Sequence, residues 1–214
     1  MRSNLTDSCI GVIKKLNLPK IKFISLFDSK IASPEIFSSI QNFHSLQKFF
    51  IGDNPIDIKK LPDKNIIYNF PPNLIELGIS NIFTKETNKF IVDNLNLENL
   101  KALYVNGDEI TSLKMFQNVK FKQLEEFWTR RGKNKDCLHS IEEIKYLQGK
   151  KSIKKIILEQ NKINDIKEFV KIENSFPNLE LLNIEDNEIS EESINYVLKT
   201  IEEKGNKKLK IIYK

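Results

Sequence analysis

The sequence is organised by a short apolar pattern that returns every 24 to 30 residues. In most copies an apolar residue is followed three positions later by a second one, and two positions after that by a third. The copies begin at Ile21, Leu46, Leu74, Leu100, Leu124, Ile153, Leu179 and Leu209. Repeats of this length stack as a solenoid, because each unit buries its apolar face only against its neighbours. The chain is therefore predicted to be a repeat protein.

The spacing within each copy predicts a strand followed by a helical or extended return. The second and third apolar residues are two positions apart and so point the same way from an extended strand. One strand per repeat would build a parallel sheet with these residues in the core. Helix start and stop signals lie between several strands. These signals are Ser33 before Pro34, the capping box of Ser140 and Glu143, Asn164 or Asp165, and Ser190 with Gly205.

Three parts of the chain depart from the regular repeat. Residues 55–73 contain four prolines, which favour an extended link over a helix. The polar stretch 130–136 predicts a longer loop. Residues 1–20 predict an amphipathic N-terminal cap, and residues 21–214 predict seven repeats plus a terminal strand in one solenoid domain. Because an open edge strand invites pairing, we expect either that the sequence is part of a longer chain or that another chain covers the C-terminal strand.

Composition limits the class of protein. A hydrophobic fraction of 40% is enough for a continuous core. Cys9 and Cys137 lie in different repeats and predict reduced thiols rather than a disulfide framework. No apolar run approaches the roughly 18 residues of a membrane span. We expect a cytoplasmic protein, with the nucleus as the alternative, although a net charge of +5 requires acidic partners to be weighed.

The repeats resemble those of the leucine-rich-repeat family, whose consensus is L-x-x-L-x-L-x-x-N-x-L. Residues 153–163 and 179–189 fit the whole motif, and the resemblance extends from about Ile21 to the C-terminus. Repeat lengths and amphipathic helices are most similar to the ribonuclease-inhibitor-like branch, whereas residues 70–80 resemble repeats of bacterial effectors. Ser29, Ile82, Asp108 and Gly132 replace the motif asparagine. The resemblance implies an α/β horseshoe with a concave parallel sheet, helices and extended links on the convex side, and a protein partner.

The motif places the side chains that flank its second and third apolar positions on the concave face. Several aromatic residues fall at these positions, including Trp128, the only tryptophan of the chain. Because Trp, Tyr and Arg dominate binding hot spots, we expect Tyr104, Trp128 and Arg130 to anchor a partner. The full set of predicted partner-binding residues is Phe23, Phe27, Phe50, Tyr104, Trp128, Arg130, Arg131, Lys155 and Ile157.

Charge favours a protein or peptide partner over a nucleic acid. The predicted concave face carries the cations Lys48, Arg130, Arg131 and Lys155 against the anions Asp28, Asp53, Glu76, Glu126, Glu159, Glu185 and Asp186. Its net charge is thus negative, which opposes the phosphate neutralisation that nucleic-acid binding requires. A partner with basic and apolar groups fits better. A basic cluster at 130–155 leaves RNA binding as a less favoured alternative.

Catalysis has little support in the sequence. His44 and His139 are the only histidines, and neither has a partner at metal-ligand spacing. The seven glycines are scattered singly and form no phosphate-binding loop. We therefore expect a non-catalytic adaptor with no cofactor and no metal. The alternatives are an effector that an intracellular microbe delivers into a host cell, a ribonucleoprotein subunit, and a GTPase activator that inserts Arg130 or Arg131.

Overall fold

A computed structural model describes residues 5–57, 68–80, 85–107, 110–131, 137–206 and 208–214, with backbone alone at 85–89. Within these ranges eight strands form one parallel sheet in sequence order. The strands are β1 (Phe23–Phe27), β2 (Lys48–Gly52), β3 (Glu76–Ser80), β4 (Ala102–Gly107), β5 (Glu126–Arg131), β6 (Lys155–Ile157), β7 (Leu181–Asn183) and β8 (Lys210–Ile212). The predicted parallel sheet, with one strand per repeat, is confirmed.

Strand register follows the apolar pattern through seven repeats. The second apolar residue of each copy pairs laterally with its counterpart in the next, in the order Ile24, Phe49, Leu77, Leu103, Phe127, Ile156 and Leu182. All of these except Ile24 are fully buried. Each repeat therefore buries its apolar face against its neighbours, as a solenoid requires.

The eighth strand differs from the sequence expectation by one residue. The pattern beginning at Leu209 places Ile212 in the core and Tyr213 on the exposed face. In the structure Leu182 pairs with Ile211, and Leu209, Ile211 and Tyr213 pack against the core. A one-residue shift moves every side chain of a strand to the opposite face, so Lys210 and Ile212 take the outward positions of β8.

The segments that return from strand to strand are short and only partly α-helical. The α-helices are α1 (Ser8–Lys15), α2 (Ile36–Ser39), α3 (Lys85–Asn94), α4 (Phe169–Ile172) and α5 (Glu191–Glu203). Among the described residues, 3₁₀ turns lie at Lys114–Phe116, Ile141–Tyr146 and Glu173–Ser175. Most of the proline-rich link, at 58–67, and the loop at 132–136 lie outside the described residues.

Of the predicted helix signals, Ser190 and Ser140 cap their own helices, whereas Glu143 binds a neighbouring repeat. Ser190 accepts a hydrogen bond from the Ser193 N–H as the N-cap of α5, and Gly205 has a φ of 73° after its end. Ser140 likewise accepts from the Glu142 N–H. The Glu143 carboxylate, however, does not close a capping box. It accepts from Ser112 Oγ at 2.6 Å and from the Leu113 N–H at 2.8 Å, and so joins two neighbouring repeats.

Three motif asparagines join the repeats beside the sheet. Asn161 Nδ2 donates to the backbone oxygens of Thr129, Leu158 and Glu159, while its Oδ1 accepts from the Leu138 N–H at 3.1 Å. Asn54 and Asn187 make corresponding bonds in their own repeats. Because buried backbone groups need partners, each asparagine holds the turn that follows its strand.

Among the described residues, α1 covers only part of the N-terminal end of the core. In α1, Ile10 is buried, whereas Val12 is 59% exposed. Leu5, Leu16 and Leu18 are also exposed around the same helix. No helix in the described ranges is long and apolar enough to cross a membrane.

Candidate binding face on the parallel sheet

The outward positions of the strands form a surface that we call the open face. It comprises the residues of β1–β8 that alternate with the core residues, together with the positions directly after each strand. Four aromatic rings form a continuous row on this face. Ring centroids are 5.8 Å apart for Phe23 and Phe50, 5.5 Å for Phe50 and Tyr104, and 5.5 Å for Tyr104 and Trp128. We call these four residues the aromatic row.

Two glycines allow rings to lie along the sheet. Phe50 and Tyr104 belong to β2 and β4, so Gly78 of β3 lies between them. A Cβ built at Gly78 would overlap the Phe50 ring, and one at Gly52 would overlap the Phe27 ring. The absence of a side chain at Gly78 thus lets Phe50 reach Tyr104 across an intervening strand.

Glu126 orients the polar ends of Tyr104 and Trp128. The Trp128 indole N–H donates to Glu126 Oε1 at 2.5 Å. Burial, and then the charges of Glu126 and Glu76, raise the pKa of Tyr104 to about 12, and a hydrogen bond to Glu126 contributes to the shift. The two rings are therefore held in one arrangement before any partner binds.

Ion pairs flank the row along the strand starts. Lys48 Nζ lies 2.8 Å from the Glu76 carboxylate, and Lys155 Nζ lies 3.6 Å from that of Glu126. Lys155, a predicted partner contact, is thus drawn toward Glu126. The repeat motif predicts Glu76 and Glu126 only as charges on this face. The pairing could be predicted from their column, in which Lys48 is next to Glu76 and Glu126 is next to Lys155.

The N-terminal end of the open face forms a shallow hollow of about 440 Å³. Its lining consists of Phe23, Ser25, Phe27, Lys48, Phe50 and Glu76. Phe23 is 55% exposed and Phe27 is 38% exposed. Three predicted partner-binding phenylalanines therefore meet in one place and present apolar surface to solvent.

Arg130 and Arg131 end β5 and are both exposed. Arg130 Nε donates to Gln160 Oε1 at 2.6 Å, and Gln160 Nε2 donates to Asp186 Oδ2 at 3.2 Å. Gln160 and Asp186 follow their strands with φ values of 53° and 55°. The repeat motif does not predict the contact between Gln160 and Arg130, because the contact depends on the left-handed backbone conformation of Gln160.

Ile157 differs from the expectation that it contacts a partner. It is only 4% exposed, between Trp128 and Asn183 in the lateral register. Asn183, itself 7% exposed, donates to Glu159 and Glu185 at 2.8 Å each. The exposed aromatic surface thus ends at Trp128, and beyond it the carboxylates of Glu159 and Glu185 converge on Asn183.

Three of the seven described cations in the basic cluster at 130–155 lie beside carboxylates, namely Lys145, Lys154 and Lys155. Lys154 lies 2.8 Å from Glu125, and Lys145 lies 2.9 Å from Glu142. Lys150 lies over the Phe176 ring at 5.8 Å. Lys133 and Lys135 fall outside the described residues. The cluster is therefore less electropositive than its lysine count suggests.

Titratable groups give no catalytic constellation within the described ranges. No group of three or more His, Cys, Asp and Glu side chains there could hold a metal ion. Cys9 and Cys137 are free thiols, and burial raises the pKa of both. A thiol with a raised pKa is a poor nucleophile at neutral pH, because the thiolate is the reactive form.

Comparison with known proteins identifies the fold. No protein-family model matches the sequence, and no curated protein matches it in sequence. The chain is similar in structure to internalin C2 of Listeria monocytogenes, with a TM-score of 0.52 and 17% identity over 97% of this chain and 91% of that one. A leucine-rich-repeat protein of Leptospira interrogans aligns with a TM-score of 0.49 and 22% identity over 91% of this chain and 49% of that one. The fold is a leucine-rich-repeat solenoid.

Proposed function

We propose that this leucine-rich-repeat solenoid is a non-catalytic scaffold that binds a protein or peptide on its open face. The observation that carries the proposal is the aromatic row, in which four rings contact one another on the side of the sheet away from the core. Core packing gives no reason for large aromatic side chains at these outward positions. Exposed aromatic surface of this kind marks interaction sites.

Pre-organisation supports the same function. Tyr104 and Trp128 are already restrained by their mutual contact and by Glu126. A partner that binds such rings does not have to order them, so less conformational entropy is lost on association. The row therefore provides rigid anchors, and the hollow beside Phe23 and Phe27 provides a place for an apolar side chain.

Charge supports a partner with apolar and basic groups. The ion pairs of Lys48 with Glu76 and of Lys155 with Glu126 leave the strand starts close to neutral. Beyond Trp128, the carboxylates of Glu159 and Glu185 converge on Asn183. An extended polyanion would meet this acidic end unfavourably, since nucleic-acid affinity depends on phosphate neutralisation.

The decisive experiment compares a row variant with a matched variant on the helical side. The row variant is Tyr104→Ala combined with Trp128→Ala, and the control is Tyr196→Ala, whose side chain is 48% exposed on α5. Proteins captured quantitatively from cell lysate are identified, and their affinities are then measured by titration. Wild type and control should bind the same partner, and the row variant should bind at least about tenfold more weakly.

Trp128 supplies a direct readout of where the partner lies. It is the only tryptophan, so intrinsic fluorescence reports on the open face alone when the partner lacks tryptophan. Binding should change the emission of wild type and of Tyr196→Ala alike. Equal capture by all three proteins, with unchanged Trp128 emission in wild type and in Tyr196→Ala, would show that the partner binds elsewhere.

The other candidates rest on weaker observations. A ribonucleoprotein role would need the 130–155 cluster, and it would be supported by RNA binding that weakens steeply with salt and is lost in Lys154→Glu. A GTPase activator would have to insert Arg130 or Arg131 into the GTPase. If the protein does not stimulate GTP hydrolysis by candidate GTPases, this function is excluded. The free thiols of Cys9 and Cys137 support an intracellular setting, either in the cell of origin or in a host cell after delivery.

A further inference from the structure

Helix α1 carries apolar side chains both toward the core and toward solvent. Ile10 is buried and Ile13 packs against the core. Val12, in contrast, is 59% exposed, and Leu16 and Leu18 after the helix are 42% and 40% exposed. Val12 and Leu16 are four residues apart and therefore lie on the same side of the helix. The N-terminal end of the solenoid thus presents aliphatic side chains to solvent.

A groove beside α1 joins these side chains into one apolar surface. The groove has a volume of about 500 Å³, and every described residue that lines it, apart from Ser8 and Cys9, is aliphatic or aromatic. Its lining includes the three exposed residues Val12, Leu16 and Leu18. Contiguous exposed apolar surface marks a site for a protein partner or for a membrane.

Lysines alternate with the apolar residues in this part of the chain. Residues 8–27 contain no aspartate or glutamate, although the whole chain has 29 acidic residues. The cations of this segment are Lys14, Lys15, Lys20 and Lys22, and all four are exposed. Lys14 lies 3.0 Å from Glu35, so the charge argument rests on the other three.

The other three lysines lie next to the groove in sequence. Lys15 precedes Leu16, and Lys20 and Lys22 lie on either side of Ile21; both Leu16 and Ile21 line the groove. Positive charge therefore borders the apolar surface. We call the following residues the α1 surface: Val12, Lys15, Leu16, Leu18, Lys20 and Lys22.

Asp7 precedes α1 and is directed toward the next repeat. Its Oδ1 accepts from the Ala32 N–H at 2.7 Å and from the Ser33 N–H at 2.9 Å. The carboxylate is thus used in holding the chain that follows β1. The α1 surface keeps a positive charge that is complementary to an anionic partner.

The residue types of the α1 surface fit a lipid surface better than a protein. Protein interfaces are depleted in lysine, and Leu and Val are under-represented among their hot spots. Interfacial helices combine apolar side chains with lysines, because the apolar side enters the acyl boundary while the ammonium groups stay among anionic headgroups. A second copy of this chain on the same surface would bring like charges together.

We propose that the α1 surface docks the N-terminal end of the solenoid on an anionic lipid bilayer. The contact is peripheral, since side chains rather than a whole helix enter the bilayer. It does not depend on the function proposed for the open face. Ile24 and Leu26 of β1 line the groove on the core side of the sheet, whereas the aromatic row lies on the opposite side.

Vesicle co-sedimentation of the full chain tests the proposal. Wild type should bind phosphatidylcholine vesicles that contain about 30% phosphatidylserine at least about tenfold more tightly than vesicles of phosphatidylcholine alone. The binding should weaken as salt is raised from about 0.05 to about 0.5 M. Salt dependence alone does not locate the contact, because a net charge of +5 draws any part of the chain toward an anionic surface.

The apolar side of the contact is tested by Val12→Ser combined with Leu16→Ser. Its matched control is Tyr196→Ser combined with Leu198→Ser on α5, where the two side chains are 48% and 37% exposed. The control should bind anionic vesicles like wild type. The Val12 and Leu16 variant should have a partition coefficient at least about tenfold lower, because its apolar side chains no longer enter the bilayer.

The charged side is tested by Lys15→Glu combined with Lys20→Glu. Its control, Lys171→Glu combined with Lys199→Glu, makes the same change in net charge at lysines whose side chains are 69% and 78% exposed. The Lys15 and Lys20 variant should bind anionic vesicles at least about tenfold more weakly than this control.

The outcomes separate docking from general attraction. A wild type that does not bind anionic vesicles overturns the proposal, and a dimeric wild type in that case would assign the α1 surface to a second copy. Equal loss of binding in each variant and its control also overturns it, because net charge alone would then explain the attraction. If circular dichroism shows that the Val12 and Leu16 variant is unfolded, the two lysine variants still decide. Tyr104→Ala combined with Trp128→Ala should bind vesicles like wild type, so the proposal for the open face can fail separately.

Discussion

Gly78 lies between the strands that carry Phe50 and Tyr104, and the Phe50 ring occupies the space that a side chain at position 78 would need. The contact between the two rings, with centroids 5.5 Å apart, depends on that space. The absence of a side chain at Gly78 is thus required for the contact between two rings of the aromatic row. Glycine inside a strand often marks such a close approach.

Gly78→Ala should separate the Phe50 ring from Tyr104, because the new Cβ and the ring would overlap. We expect a loss of about 1 kcal/mol in the free energy of unfolding, measured by urea denaturation. Near-ultraviolet circular dichroism should change as well. Gly11→Ala is the matched control, since position 11 has no atom within 4 Å of its Cβ. Because position 11 lies in the middle of α1, Gly11→Ala should raise the free energy of unfolding by about 0.5 kcal/mol. If Gly78→Ala and Gly11→Ala changed the free energy of unfolding equally, the overlap at position 78 would be contradicted.

Tyr104 should ionise later than an ordinary tyrosine. Its pKa of about 12 in the folded protein exceeds the value of 10.0 for an unperturbed phenol. The stabilisation linked to the neutral phenol is therefore complete below pH 10 and is lost as pH rises toward 12. Phenolate absorbance followed against pH should lose a late-titrating group in Tyr104→Phe. An unchanged late phase in that variant would show that burial and the charges of Glu126 and Glu76 do not raise the pKa of Tyr104.

The repeat motif predicted the outward direction of Tyr104, Trp128 and Ile157, but not their exposure. Direction follows from the alternation of a strand, which sequence spacing reveals. Exposure depends on the size and lean of neighbouring side chains on adjacent strands. Ile157 lies between the larger Trp128 and the hydrogen-bonded Asn183, and only 4% of it reaches solvent. Its predicted role as a partner contact is therefore not supported by its burial.

At the scale of secondary-structure elements, β8 shows why short strands are difficult to place from sequence. The segment after Leu209 reads Lys-Ile-Ile-Tyr, so apolar residues lie on both faces in either register. The repeat motif selects Leu209 and Ile212, whereas the structure packs Leu209, Ile211 and Tyr213 against the core. A strand of three residues has too little alternation to distinguish the two.

Capping signals were read correctly where the partner is local and incorrectly where it is not. Ser190 and Ser193 are three residues apart, and the predicted cap is present. Glu143 also fits a capping box with Ser140, yet its carboxylate binds Ser112 and Leu113 of the preceding repeat. A local sequence pattern does not show that donors of the neighbouring repeat, here Ser112 and the Leu113 N–H, compete for the Glu143 carboxylate.

Lys204 connects α5 to the preceding 3₁₀ turn through a buried carboxylate. Its Nζ lies 3.1 Å from Glu173, which is 5% exposed, and also donates to the Val170 carbonyl at 2.6 Å. Lys204→Met should cost about 2 kcal/mol in the free energy of unfolding, because it removes the cation beside the buried Glu173 carboxyl and keeps only the neutral hydrogen bond from Asn206 among the contacts described above. Urea denaturation provides the measurement.

Lys199→Met on the same helix is the control for this substitution. Lys199 lies 3.9 Å from Glu203, and both side chains are largely exposed. Exposed pairs of this kind contribute little, so the loss should be below about 0.5 kcal/mol. If Lys204→Met and Lys199→Met had the same effect, the connection through Glu173 would not stabilise the fold.

At the scale of the whole molecule, each described strand pairs with its neighbours in sequence, from β1 to β8. The recurring spacing was sufficient to predict this order, because a repeat of 24 to 30 residues returns the chain to the next position in the stack. Stability in such an array is approximately a sum over repeats and their interfaces. Damage at one repeat is therefore expected to remain local.

Asn161→Ala tests that locality. It removes the acceptor of the Leu138 N–H and the donor to three backbone oxygens, at a cost of about 2 to 3 kcal/mol. Amide hydrogen exchange should accelerate in β5–β7 and change little in β1 and β2. Asn178→Ala removes one exposed bond, to the Lys151 carbonyl, and should leave both regions unchanged. Uniform acceleration along the chain would indicate global rather than local cooperativity.

Centroid separations along the aromatic row are 5.8, 5.5 and 5.5 Å. One turn of an α-helix advances by about 5.4 Å, so a helix laid across the strands would be nearly commensurate with the rings. Side chains from one stripe of such a ligand would meet Phe23, Phe50, Tyr104 and Trp128 in succession. In an extended peptide only every second side chain lies on one face, so these side chains are about 6.6 Å apart and match the spacing of the rings less closely. The spacing of the rings in the aromatic row is therefore close to the pitch of an α-helix.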